Sequence, residues 1–126
     1  MFTVVETGIA RSKAPVNGTV RAGDRIHTTH VPKDPKTGAI IEGDMTVQMR
    51  RTLENLKIAM EAAGGSLRDV GQVLIFITDS RDFDAMNKVY VEYFSEPYPT
   101  RATVVVKELI GGKTRVEIQA QAWLGK

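Results

Sequence analysis

The sequence predicts an α+β fold, a two-layer sandwich in which a mixed sheet of about six strands carries two helices on one face. Three observations predict it. Two segments place an apolar residue at every third or fourth position, as a helix with one buried side requires. Shorter segments alternate polar with apolar residues, or run apolar throughout, as strands do. The two kinds interleave in the order ββ(β)αβαββ, so each helix returns the chain to one sheet.

Thr3–Val5 begins this series as a short edge strand, and Asn17-Gly18 marks a turn after the polar segment ARSKAPVNG. Thr19–Arg21 and Arg25–His30 form a hairpin around Ala22-Gly23-Asp24. HVPKDPKTGAIIEGD is a loop, because Pro32 and Pro35 withhold the N–H groups a sheet needs. Asp44 caps the first helix, with a stripe of Met49, Leu53, Leu56, Met60 and Ala63, and Gly64-Gly65 ends it. Ser66 and Asp69 form a capping box for one short turn. Val73–Ile77 has no polar face, which predicts a central strand covered on both sides. A second helix starts at Asp79 or Ser80, buries Phe83, Met86, Tyr90 and Phe94, and stops before Pro97.

The last stretch, Pro99–Leu124, reads as two strands joined in a hairpin by Ile110-Gly111-Gly112-Lys113. In RVEIQAQAW, Arg115, Glu117, Gln119 and Gln121 alternate with Val116, Ile118, Ala120 and Ala122, so Glu117 faces away from the core. With both helices on one face, the other face of the sheet lacks cover from this chain. Other subunits are the economical source of it.

A chain of 126 residues is long enough for one core and too short for two, so residues 1–126 are expected to form one domain. Hydrophobic content of 42% and charged content of 25% are those of a soluble protein, and no stretch nears the ~20 apolar residues of a membrane span. The opening MFTVVETGIARSK includes an acidic residue and only a short apolar run, unlike a secretory leader, and the expected location is the cytoplasm. The absence of cysteine excludes disulfides and thiolate chemistry. A net charge of +2 is too small to predict a nucleic-acid footprint.

PTRATVVVKEL followed by VEI resembles the C-terminal signature of the Rid family (YjgF/YER057c/UK114), small enamine/imine deaminases. DPKTGAIIEGD, QMRRTLENLKIAMEAAGGSLRDV and ITDSRDFDAMNKVYVEYF are similar to family segments in family order, so the likeness covers roughly Gly23 to Leu124. The resemblance implies a chorismate-mutase-like fold and a homotrimer whose sheets pack around the threefold axis. It also implies hydrolysis of 2-enamino or 2-imino acids to 2-keto acids and ammonia, without a metal or other cofactor.

By residue type alone, Arg101 is a strand-end charge or a salt-bridge partner, and Glu117 a surface carboxylate. The resemblance implies that Arg101 holds the substrate carboxylate as a bidentate fork, and that Glu117 positions or deprotonates water once another subunit buries it. Thr103, two residues on, shares the face of Arg101 and walls the pocket; Asn87 matches a polar family position near the site. Where relatives read Ser-Gly-Gln, this chain has Thr28, Thr29 and His30. Thr28 keeps a hydroxyl for the substrate, the Thr29 N–H remains a candidate donor, and His30 is a candidate pocket residue. The tyrosine that relatives carry near Pro15 is missing, which bears on substrate more than on reaction. A metal between His27 and His30 is disfavoured, since residues three apart on a strand face opposite ways. A trimeric carboxylate-binding protein without turnover, and a deaminase for a larger dienamine such as an aminomuconate, remain alternatives; RNA cleavage has no basic patch to support it.

Overall fold

In the computed structural model, which describes residues 1–125, the chain runs β1 (Thr3–Val4), β2 (Thr19–Ala22), β3 (Arg25–His30), α1 (Met45–Ala62), β4 (Val70–Ile77), α2 (Phe83–Tyr93), β5 (Thr100–Val105) and β6 (Val116–Trp123). The strands form one mixed six-stranded sheet in the order β1-β2-β3-β6-β4-β5. Only β4 and β5 are parallel, because α2 carries the chain back across the sheet between them.

The helix-covered face is built as the periodicities require. Met45, Met49, Leu53, Leu56 and Met60 of α1 pack on Ile26, Val73, Ile75, Ile77, Val116, Ile118, Ala120 and Ala122 of the sheet. Burial of each large apolar side chain contributes about 1.5–3 kcal/mol. The Asp44 carboxylate caps α1 by accepting from the Val47 N–H at 3.0 Å, and Gly64, at φ +90°, supplies the left-handed turn after the helix. Three polar residues of α1 are fully buried, and two of them, Gln48 and Asn55, each fix a loop. The Gln48 amide donates to the Ile41 and Lys113 carbonyls at 2.9 and 2.8 Å, while its oxygen accepts from the Arg115 N–H at 2.7 Å. The Asn55 amide donates to the carbonyls of Val31 and Lys33. The chain entering β6 and the chain leaving β3 are thereby tied to one helix.

Three expectations are corrected. β5 and β6 are not a hairpin: β4 lies between them, paired with β5 on one side and β6 on the other. Gly111 and Gly112 do turn the chain at positive φ, but the 106–115 connection is long enough to pass over a strand, and β4 gains a ladder on both edges. Second, this chain by itself covers β4 on one face only. Val73, Ile75 and Ile77 are buried, while Leu74 and Phe76 stay half-exposed on the face that has no helix. Third, Phe83 is 41% exposed, because it opens α2 beyond the edge of the core that Met86, Val89 and Tyr90 reach.

No described helix is long and apolar enough to cross a membrane. The edge strand β5 leaves Val104 and Val105 exposed, an apolar edge of the kind that soluble proteins cover.

Candidate active site

Strand register decides where Arg101 and Glu117 point. Arg101 lies opposite Val73, whose side chain is in the helix-covered core, and Glu117 lies opposite Phe76, on the other face. Side chains directly opposite share a face and successive ones alternate. Within one chain the two therefore look to opposite sides of the sheet. Two strand spacings alone separate them by about 10 Å.

The Arg101 half is built by β5 and α2. The guanidinium Cζ lies 4.7 Å from the centroid of the Tyr90 ring and 5.8 Å from that of Phe83. Among the described residues no carboxylate forms an ion pair with it. Thr103 lies opposite Ile75, on the same face as Arg101, and its Oγ1 is buried with no hydrogen-bond partner among the described residues. Asn87 is half-buried on α2 between Phe83 and Tyr90, four residues after one and three before the other, which puts the three on one side of the helix. Register and helix spacing thus bring Arg101, Thr103 and Asn87 to one edge of the molecule.

The Glu117 half is a cleft of about 380 Å³ between the sheet and the N-terminal segment, walled by Val5, Ile9, Val16, Asn17, Thr29 and Lys33 among others. The segment is held over the sheet by the Val5 N–H on the Thr19 carbonyl, the Ala10 N–H on the Pro35 carbonyl and the Lys33 ammonium on the Ala10 carbonyl. Burial pushes the Glu117 carboxyl above the usual carboxylate range, and no cation among the described residues offsets it. Burial likewise lowers the Lys33 amine. A cleft carboxylate of raised pKa is what a group that exchanges protons with water requires.

The triad Thr28-Thr29-His30 divides between the two faces. Thr28 and His30 are buried, and the Thr28 hydroxyl lies 2.6 Å from His30 Nε2, 2.8 Å from the Thr19 hydroxyl and 3.1 Å from the Gly18 carbonyl. Burial, then the nearby Lys33 charge, pulls His30 down to about 3, so its ring is neutral at physiological pH. Thr29 and His30 both line the cleft, but the Thr29 N–H donates to the Gly18 carbonyl at 2.9 Å. The donor expected for the substrate carboxylate is thus already engaged. His27 is exposed on the face opposite His30, and no group of three or more His, Asp or Glu among the described residues is placed to hold a metal ion.

Sequence reasoning missed three contributors: Tyr90 and Phe83 as rings around the arginine, and Lys33 in the cleft. The spacing of Phe83, Asn87 and Tyr90 was the available signal for the first two. Nothing local marks Lys33, whose place depends on the Ala10 carbonyl far away in sequence.

Residues 9–124 match the family model described as Endoribonuclease L-PSP. A RutC family protein of Pyrococcus horikoshii is 43% identical over 110 residues, 86% of each chain. The 2-iminobutanoate/2-iminopropanoate deaminase of Salmonella typhimurium is 38% identical over 100 residues, 77% of each chain. Among solved structures, E. coli TdcF with bound serine matches at a TM-score of 0.88 and 36% identity, covering 98% of this chain and 99% of that one.

Proposed function

The chain belongs to the Rid family, that of the matched model, and on this premise we propose that it hydrolyses reactive 2-enamino and 2-imino acids to 2-keto acids and ammonia. The observation that carries the reading is Arg101: a half-buried guanidinium, set among rings, with no ion pair among the described residues. Its fork is free to take a carboxylate. The name of the Salmonella relative supports the substrate class.

In this reading Arg101 grips the carboxylate, with Thr103 and Asn87 beside it. The enamine takes a proton from solvent at C3 to become the iminium ion, the protonated imine. Glu117 accepts a proton from water as the water oxygen bonds to C2, giving a carbinolamine. That proton passes to the nitrogen, the hydroxyl gives up its own proton to solvent as the C2–N bond breaks, and ammonia and the 2-keto acid leave. Since imines hydrolyse unaided, anchoring the acid and placing one water supplies enough acceleration, and neither metal nor other cofactor is required.

Because Arg101 and Glu117 face opposite ways, the site is completed by a neighbour: one copy gives Arg101, Asn87 and Thr103, the next gives Glu117 and the N-terminal cleft with Thr29. Thr28 and His30 serve as the buried floor beneath Thr29. A homotrimer in the cytoplasm is the assembly we assign. The half-exposed Leu74 and Phe76, and the exposed Val104 and Val105, support burial against further copies.

A second reading, a trimer that binds small carboxylates without turnover, is favoured by the engaged Thr29 N–H and the buried Thr28 hydroxyl. One experiment separates the two. An amino-acid lyase or oxidase generates 2-aminoacrylate or a branched imino acid in situ, and loss of the imine is followed with and without the protein. Faster loss, abolished by Arg101→Ala, supports hydrolysis. Tight 2-keto acid binding without faster loss supports the binding protein, and a series of larger dienamines tests the aminomuconate version.

A further inference from the structure

We propose that Phe83 and Tyr90 are positioning residues that hold the Arg101 guanidinium by cation–π contact and leave its N–H groups free for the substrate; this rests on the reading of Arg101 as the carboxylate anchor. Arg101 is the second residue of β5, and a long side chain there has many rotamers to choose among. Its Cζ nevertheless lies over two aromatic faces, Tyr90 at 4.7 Å and Phe83 at 5.8 Å. Both distances are within the range at which a ring quadrupole attracts a guanidinium.

The first ring is itself immobilised. Tyr90 is 5% exposed and stacks on Phe94, centroids 4.6 Å apart and planes 27° from parallel. Phe83 lies seven residues earlier, two helical turns away on the same side of α2, and is 41% exposed. α2 thus offers one buried ring and one open ring to a single cation, with Asn87 between them.

The choice of partner matters chemically. An Asp or Glu would fix the arginine equally well, but it would consume the N–H groups that the substrate carboxylate has to reach and would cancel the charge. A ring attracts the ion through its π face and accepts no such pair of bonds. The guanidinium is thereby oriented without being neutralised, and the cost of ordering it is met before substrate arrives. Lysine could not replace it, since an ammonium has no planar fork to orient.

The test compares Phe83→Leu, Tyr90→Leu and Tyr90→Phe with the parent and with Arg101→Ala. KM and kcat are measured for imine hydrolysis, and Kd for 2-oxobutanoate by calorimetry. Phe83→Leu should raise KM and Kd about two- to fivefold, the size of an exposed cation–π contact, with kcat unchanged. Tyr90→Leu should raise them further, and Tyr90→Phe, which keeps the ring, should restore them. If both leucine variants fold and bind like the parent, or if kcat falls while KM holds, the inference is wrong, and the anchor is judged separately by Arg101→Ala. Should Tyr90→Leu fail to fold, the exposed Phe83 decides alone. If the parent neither binds 2-oxobutanoate nor hydrolyses an imine, the anchor reading and this inference fall together.

Discussion

On β5, a cation sits beneath a helix among aromatic rings, and its surroundings orient it without neutralising it. On β6, a carboxylate sits on the face that no helix covers, inside a cleft that raises its proton affinity. Each half has what the other lacks, and the sheet between them keeps them apart. On the proposed reading, a monomer of this fold owns both halves of a site and can close neither. On the same reading, the apolar edge at β5 and the half-exposed Phe76 are surfaces for further copies.

The comparison breaks most completely if the open face is spoiled while the helix-covered face is spared. Phe76→Lys puts a charge where a neighbour must pack, and the core of Val73, Ile75 and Ile77 is untouched. The variant should sediment as a monomer with parental circular dichroism and no detectable imine hydrolysis; an unchanged mass would show that the open face is not the interface. Glu117→Gln removes the base alone and should lower kcat by about a hundredfold or more, with 2-keto acid binding intact. Because burial raises the Glu117 carboxyl, the parent should also lose activity with falling pH sooner than an ordinary carboxylate would dictate, on a limb the variant lacks. Arg101→Ala should instead abolish 2-keto acid binding and cut kcat/KM about a hundredfold, as two charge-assisted hydrogen bonds are lost.

The smallest effect concerns His30. Its folded value of about 3 lies below the ordinary 6.5, so between these pH values the unfolded chain binds a proton that the folded chain refuses. Stability is complete above 6.5 and is lost as pH falls toward 3, by at most ~1.4 kcal/mol per pH unit. Urea midpoints at pH 7 and pH 5 should draw together in His30→Gln.

What was legible in the sequence follows from the range of the forces involved. The α1 stripe, the Asp44 cap and the Ser66–Asp69 capping box depend on neighbours within four residues, and each is present. Gly111-Gly112 announces a turn and so suggests a β5–β6 hairpin, but it says nothing of which strand comes to lie beside the next. Phe83 is in phase with the α2 stripe, yet phase does not tell where the core ends. The Thr29 N–H reads as a candidate substrate donor in the sequence because its partner, the Gly18 carbonyl, comes from another strand's approach. The motif singles out Arg101 and Glu117; that they face opposite ways follows only from the register each strand takes against β4.

That opposition makes one measurement more direct than the rest. Arg101→Ala and Glu117→Gln chains, each inactive alone, are unfolded together and refolded as mixed trimers. If each site takes Arg101 from one chain and Glu117 from the next, about a quarter of the sites in a random mixture are intact, and that fraction of parental activity should return. If the mixture stays as inactive as its components while the trimers demonstrably mix, the two residues do not meet across copies and the account is contradicted.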